Sequence, residues 1–336
     1  MSMQSPLLDV TDLSVRFDHP SSTTHILENI SLHVATGESI GIVGESGSGK
    51  SVLARTIMGI RPRPVIQSIT GTVAFNGHEL TKLDDKTWSR TAIRSMAMIF
   101  QDPSVTLNPV IRIGHQVTEA APPEIRRSPH ARRKLAITLL ASVHLPDPSS
   151  AVRRFPGELS GGQRQRVGIA AALAGDPLLL LADEPTTALD VTVQRQVLDL
   201  IDDLRRQRGM AMIHITHDLA ALSGRTDRIA VMYAGRIVET GPSQTILTRP
   251  KHPYTHALLD STPRLSTPRR PPLPQIEGSL PDLTEPRVGC AFAPRCRFAR
   301  DICFTTPPNP TSTDAGHTVA CWLPQRAQDT KIGTVE

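Results

Sequence analysis

The eight residues Gly44-Glu45-Ser46-Gly47-Ser48-Gly49-Lys50-Ser51 constrain this chain more than any other feature, because they fit G-x-x-x-x-G-K-[ST] between an apolar run and a helical one. Glycines at 44, 47 and 49 let successive backbone N–H groups turn inward on phosphate oxygens, and the helical stretch Val52 to Met58 adds the positive end of its dipole. In that frame Lys50 reaches the β- and γ-phosphates, and the Ser51 hydroxyl ligates Mg²⁺. From average composition such a match arises by accident in roughly one chain in a hundred of this length, and the flanks make accident rarer still.

Leu178-Leu179-Leu180-Leu181-Ala182-Asp183-Glu184 is a buried strand whose end presents two acids. Alone, such a pair is usually a solvated strand end. Beside a phosphate loop, Asp183 reads as the group that holds Mg²⁺ through its water shell, and Glu184 as the group that polarises a water in line with the γ-phosphate. Hydrolysis of the nucleotide is therefore expected.

The remaining organisation is that of an α/β protein. Ser39 to Gly44, Leu178 to Ala182, Met210 to Thr216 and Arg228 to Tyr233 are short apolar runs alternating with helical stretches, which predicts a parallel α/β core. Residues 108–158 lack such runs. Within them Ser128 to Val143 sets Ala131, Leu135, Ala136, Leu139 and Leu140 beside Arg132, Arg133 and Lys134, a helical pattern with a basic face in an inserted helical subdomain. Residues 250–336 hold 14 of the 29 prolines, Pro271, Pro272 and Pro274 among them, so a boundary falls near 245. Two domains result, 1–245 and 246–336, as the length of 336 residues suggests.

Composition removes several functions. The balance of 37 basic and 32 acidic residues, a net +5, is no concentrated basic stripe, and an aromatic share of 3% leaves little to stack on unpaired bases; nucleic acid is not an expected partner. No apolar run approaches the roughly 18 residues of a membrane helix, and the start, with Gln4, Ser5, Pro6 and Asp9, is no export signal, so a soluble, unexported protein is expected.

Leu159-Ser160-Gly161-Gly162-Gln163 identifies the kind of nucleotide machine, since this pentapeptide arises by chance in well under about one chain in a thousand. Its serine hydroxyl and glycine N–H groups, at the start of a helix beginning near Arg164, form a second anion-binding corner. With these motifs the sequence resembles the ATP-binding-cassette (ABC) family. The resemblance implies an ABC-type P-loop NTPase core with an inserted helical subdomain. It also implies that two cassettes pack head to tail, each ATP lying between one subunit's phosphate loop and the other's Leu159–Gln163 corner.

Other positions follow from the same resemblance. Phe17 resembles the aromatic that stacks on adenine, a core or edge-strand Phe being the alternative. Gln101, in Ile99-Phe100-Gln101-Asp102-Pro103, resembles the glutamine that touches Mg²⁺ or the attacking water and links the core to the helical insert. Asp190, after Ala188 and Leu189, resembles the loop that contacts the opposite subunit, and a helix cap is equally compatible with it. His217, at the end of a strand, resembles the histidine that hydrogen-bonds the γ-phosphate, whereas His214 alternates within that strand as a structural residue.

Val231 to Glu239, His252-Pro253-Tyr254-Thr255 and the cysteine-bearing end narrow the resemblance to ATPase subunits of oligopeptide and dipeptide importers. The implied partners are a second, related ATPase, with a heterodimer favoured, two integral membrane permease subunits and an extracytoplasmic solute-binding protein. The implied place is peripheral, on the cytoplasmic face of the plasma (inner) membrane. Import of nickel or another small solute is the alternative, and a soluble cassette acting on nucleic acid or ribosomes is a more distant one. The cargo is not legible here.

Cys290, Cys296, Cys303 and Cys321 all fall in the last fifth of the chain. Four thiolates hold either tetrahedral Zn²⁺ or an iron–sulfur cluster, and their spacing leaves the metal open. The importer resemblance implies a [4Fe-4S] cluster, with Zn²⁺ the alternative. A proline-rich piece this short has little core of its own, so a metal staple is expected to hold it.

Overall fold

A segment buried on both faces has no polar side to show water, and the four apolar runs without helical period all fold as strands. In the computed structural model the described residues are 5–19, 22–60, 66–84, 87–88, 95–102, 106–186, 190–262, 276–284, 288–314 and 316–324. Gln4, Pro103, Ala188, Leu189, Pro271, Pro272 and Pro274 lie outside them. The chain forms two compact units, Met1–Val34 with Ser39–Thr81 and Ile215–Glu336, and Ala35–Glu38 with Lys82–His214.

The first unit contains an antiparallel sheet that the apolar-run pattern did not announce. Strands β1 (Leu8–His19), β2 (Ser22–Val34), β4 (Ile66–Phe75) and β5 (His78–Glu79) lie in the order β2-β1-β4-β5. Leu8, Val10, Leu13 and Val15 of β1 are all buried, but the alternation slips between Val10 and Leu13, where Asp12 takes φ 48° and the register shifts. A bulge of this kind hides a two-residue period.

The same unit carries β3 (Ser39–Val43), β9 (Arg228–Tyr233), β10 (Arg236–Pro242), β11 (Thr311–Asp314) and β12 (His317–Val319), in the order β11-β12-β10-β9-β3. Only β3 and β9 are parallel; β9 turns back into β10 through Ala234 and Gly235, both at positive φ, and β12 pairs antiparallel with β10. The sheet is thus mixed. The chain after residue 245 supplies two of its strands, and Tyr254, Leu258 and Phe292 share one apolar cluster with Val43, Val231 and Tyr233. Each such fully buried large side chain contributes about 1.5–3 kcal/mol.

In the second unit β6 (Met96–Ile99) runs parallel to β7 (Leu179–Asp183), which lies next to β8 (Ala211–Thr216), whose last two residues belong to the first unit. Among the described residues, 106–158 form helices and turns and no strand. Helix Pro129–Ser142 is capped by Ser128, whose hydroxyl accepts from the Ala131 N–H, and it buries Ala136, Leu139 and Leu140. Helix Val191–Arg208 ends at Gly209 in the left-handed region, with Arg205, Arg206 and Arg208 in its last turn facing the negative end of its dipole. Among the described residues no helix is long and apolar enough to cross a membrane.

A buried carboxylate ties the extension to β10. The Glu239 side chain, fully buried, accepts from His317 Nε2 at 2.8 Å, from the Lys251 N–H at 2.6 Å and from the His252 N–H at 3.1 Å. Burial alone would raise its pKa, yet the hydrogen bonds from His317, Lys251 and His252 outweigh burial and hold it below the usual value of 4.5. An acid with a depressed folded pKa contributes stability that is present above its unfolded pKa and lost as pH falls through the folded one. Thermal melts should therefore lose stability as pH drops below about 4.5. Glu239→Gln should cost roughly 3–5 kcal/mol at neutral pH and flatten that acid limb. An unchanged acid limb in the variant would assign the loss to other carboxylates.

Candidate nucleotide-binding site

The loop from Gly44 to Ser51 joins β3 to helix Lys50–Ile57, which gives it the strand and helix its chemistry needs. Gly49 is the helix cap at φ 101°, and a Cβ there would stand 2.9 Å from Leu27. Gly44 is tighter still: a Cβ would meet the Met232 carbonyl oxygen at 2.1 Å, so only glycine brings the end of β3 this close to β9. Ser46 and Gly47 face solvent, while Ser48 and Lys50 are buried.

The Lys50 ammonium donates to the Gly44 carbonyl at 2.7 Å and to the Glu45 carbonyl at 2.9 Å. These bonds keep a buried cation solvated by the loop's own backbone and bend the loop around it. The Ser48 carbonyl accepts from the Gly235 N–H at 2.8 Å, fixing the far side. Glycines where no Cβ fits, a buried lysine and a helix start make a cradle suited to a nucleotide triphosphate, and Ser51 sits in the first turn of that helix.

The second unit gathers different groups. Asp183 ends β7 buried, and Glu184 follows it at φ 45°, a left-handed conformation that a non-glycine residue adopts rarely and at some cost. Gln101, just past β6, donates its Nε2–H to Glu184 Oε2 at 3.2 Å. Parallel pairing of β6 and β7 puts both residues at the same sheet end, and the amide then orients the carboxylate that would polarise water. His214, the last residue of this unit, is buried inside β8, whereas His217, exposed one residue beyond that strand, belongs to the first unit.

Leu159–Gln163 corrects one expectation. The helix begins at Gly161, three residues before Arg164, because Ser160 Oγ accepts from the Gln163 N–H at 3.3 Å while Gln163 Oε1 accepts from the Ser160 N–H at 3.0 Å. This reciprocal capping box leaves the serine at the helix start and makes Gly161, Gly162 and Gln163 its first turn. Asp190 likewise caps its helix, accepting from the Val193 N–H at 3.0 Å. Phe17 is half-buried on β1 opposite Thr24 of β2.

Cys290, Cys296, Cys303 and Cys321 are free thiols that line one small cavity with Phe298 and Trp322. Burial pushes Cys290 and Cys296 up and Cys321 up to about 11, the other three sulfurs adding to the rise at Cys321. Burial thus disfavours the thiolate at Cys290, Cys296 and Cys321, and a bound cation would favour it. His252, on the same wall, points to the same fit: its Nδ1 accepts from the Tyr254 N–H, leaving a buried Nε2 proton without a protein acceptor among the described residues. Among those residues, no group of three or more His, Cys, Asp or Glu side chains has the arrangement of a metal-ion site.

A glycine cradle at the end of a buried strand, in a chain that also bears a capped LSGGQ helix, places the protein among the ATP-binding cassette ATPases. Residues 27–187 match the family described as ABC transporter, and residues 238–303 the one described as oligopeptide/dipeptide transporter, C-terminal region. The oligopeptide transport ATP-binding protein OppD of Bacillus subtilis is 44% identical over 94% of this chain and 88% of its own. The dipeptide transport ATP-binding protein DppD of the same organism is 41% identical over 96% of each chain. Among solved structures, the dimeric ATP-binding cassette MJ0796 bound to ADP and Pi aligns with a TM-score of 0.62 at 26% identity, over 70% of this chain and 98% of that one. The chain belongs to the ABC transporter family, as an ATP-binding subunit of the oligopeptide/dipeptide transporter type.

Lys50→Ala removes the cation at the centre of the loop and should weaken ATP binding by about tenfold or more in a fluorescent-nucleotide titration. Unaltered affinity would show that the loop does not grip phosphate as described.

Proposed function

We propose that this subunit hydrolyses ATP to drive an importer of oligopeptides or dipeptides, from the cytoplasmic face of the plasma (inner) membrane. The nucleotide-binding domain spans 1–245, with its helical subdomain at about 108–158, and the extension spans 246–336. The observation that carries this reading is the joint presence of a complete set of cassette residues and a C-terminal region of the oligopeptide/dipeptide type in one chain.

In this mechanism Gly44–Ser51 and Phe17 bind ATP, and Leu159–Gln163 of a second, related ATPase closes over it from the opposite side. Ser51, Gln101 and Asp183 would hold Mg²⁺, which would neutralise phosphate charge. Glu184, oriented by Gln101 Nε2, accepts a proton from the attacking water, and His217 donates to the γ-phosphate. Asp190 faces the neighbouring subunit. Closure and reopening of the pair pass through the helical subdomains to two membrane permeases that receive solute from an external binding protein.

Glu184→Gln keeps the shape but cannot take a proton, so phosphate release should fall at least about a hundredfold while ATP binding persists and a nucleotide-trapped dimer accumulates on size exclusion. Retained hydrolysis would reject the role of Glu184. Capture of the intact complex from membranes should bring down permease subunits and a bound peptide; a nickel chelate in its place would move the cargo, and ribosomes or DNA would overturn transport.

The four cysteines are read as ligands of a [4Fe-4S] cluster. What supports this reading is that all four thiols line one cavity, four thiolates being the ligand set such a cluster takes. Protein purified without oxygen should be brown, with about four irons per chain. A colourless preparation with stoichiometric zinc would replace the cluster by Zn²⁺.

A further inference from the structure

The extension reaches the phosphate loop itself. Both carboxylate oxygens of Glu45, the loop's second residue, are taken by one guanidinium: Arg295 Nη1 donates to Oε2 at 2.6 Å and Nη2 to Oε1 at 3.0 Å. The Arg295 side chain is only 5% exposed. The Glu45 N–H donates to the Tyr254 hydroxyl at 2.8 Å, and the Glu45 carbonyl accepts from Lys50. Every polar group of Glu45 is therefore committed, two of them to the chain beyond residue 245.

The brace is itself braced. The remaining Arg295 donors go to the Glu277 carbonyl at 2.8 Å, the Ile276 carbonyl at 3.0 Å and the Tyr233 hydroxyl at 3.3 Å. Phe292, one turn before Arg295, packs edge-on against Tyr233 at 5.2 Å and tilted against Tyr254 at 5.3 Å. Leu280 stands 3.3 Å from where a Cβ on the exposed Gly47 would be, so the extension also approaches the loop's fourth residue. All these residues lie in one compact unit.

A forked two-bond pair fixes the angle of Glu45 as well as its distance, which a single lysine contact would not do. Because the Glu45 carbonyl holds Lys50, a shift of Glu45 carries the phosphate-seeking cation with it. We infer that Arg295 and Tyr254 are positioning residues for ATP: the C-terminal extension sets the shape of the first half of the phosphate loop and so governs nucleotide affinity. The inference rests on that loop being the ATP site. It also assigns the extension a task in the nucleotide site, since Arg295 immediately precedes Cys296 and anything that displaces that turn would be felt at Glu45.

The test uses the full-length chain, a fluorescent ATP analogue with Mg²⁺, steady-state hydrolysis and thermal melts. Arg295→Met should weaken analogue binding about tenfold and raise KM for ATP similarly, with kcat at saturating ATP within about twofold. Arg295→Lys should fall between it and the parent. Glu45→Gln should resemble Arg295→Met, and the double variant should be no worse than either single one, as expected for groups that act only through each other. Tyr254→Phe removes one hydroxyl without charge and decides the matter should Arg295→Met fail to fold. Lowered melting temperature with unchanged affinity and KM in Arg295→Lys and Tyr254→Phe would reduce the contact to a staple and overturn the inference. Lys50→Ala separates the two levels: if it weakens binding and these variants do not, only the inference falls, and if it too has no effect, the loop is not the ATP site.

Discussion

A loop that grips phosphate with its backbone must be held in shape by something other than that backbone. The N–H groups meant for the ligand cannot also close turns, so the restraint has to come from outside. Here it comes from four directions. β3 is buried along its whole length, Gly44 is pressed against the Met232 carbonyl, the Gly235 N–H holds Ser48, and Lys50 draws the Gly44 and Glu45 carbonyls together. Each of these acts on a carbonyl or on packing; of the loop's own N–H groups, that of Glu45 donates to the Tyr254 hydroxyl and that of Ser48 to the Glu45 carbonyl. The fifth restraint, Arg295 on Glu45, works by the same logic through a side chain.

The extension depends on its neighbour in turn. With prolines crowding it and few apolar runs, it would have little core alone. The structure solves this by lending it a sheet edge and a core. β12 adds to β10, Tyr254 and Phe292 fill the cluster around Tyr233, and Glu239 gathers His317, Lys251 and His252. A metal staple was expected to supply most of what holds this piece, yet a strand pairing, an aromatic cluster and a buried carboxylate already tie it down.

What was legible in the sequence shares one property: it is local. The strands at 39–43, 179–183, 211–216 and 228–233 follow from short apolar runs, and the phosphate loop from eight consecutive residues. Helix Gly161–Ala172 was legible too, but its start was expected near Arg164, because the capping box of Ser160 and Gln163 that begins it three residues earlier was not read. The antiparallel sheet hid behind bulges at Asp12 and Asn29, whose left-handed conformations interrupt an otherwise plain alternation. Glu45 and Arg295 stand 250 residues apart, and no periodicity or motif joins them. Gln101 and Glu184 are 83 apart, and their contact follows only once β6 and β7 are known to be parallel neighbours.

Charge and apolar contact divide the work of holding the extension to the loop. The ring contacts among Tyr233, Tyr254 and Phe292 are worth about 0.5–1.5 kcal/mol per pair beyond burial, and they tolerate small slips because an edge-to-face ring pair has a broad minimum. Such contacts make the extension adhere without fixing where it sits. A buried forked ion pair behaves oppositely: its attraction roughly offsets the desolvation of both partners, so it adds little net adhesion, but a small misplacement leaves an unpaired buried charge and is strongly resisted. Arg295 is the more deeply buried partner and the one with further carbonyls to satisfy, at Ile276 and Glu277, so its position is decided by the extension and imposed on Glu45. The pair therefore couples the cysteine-bearing turn and the phosphate loop, and by linkage the coupling acts both ways.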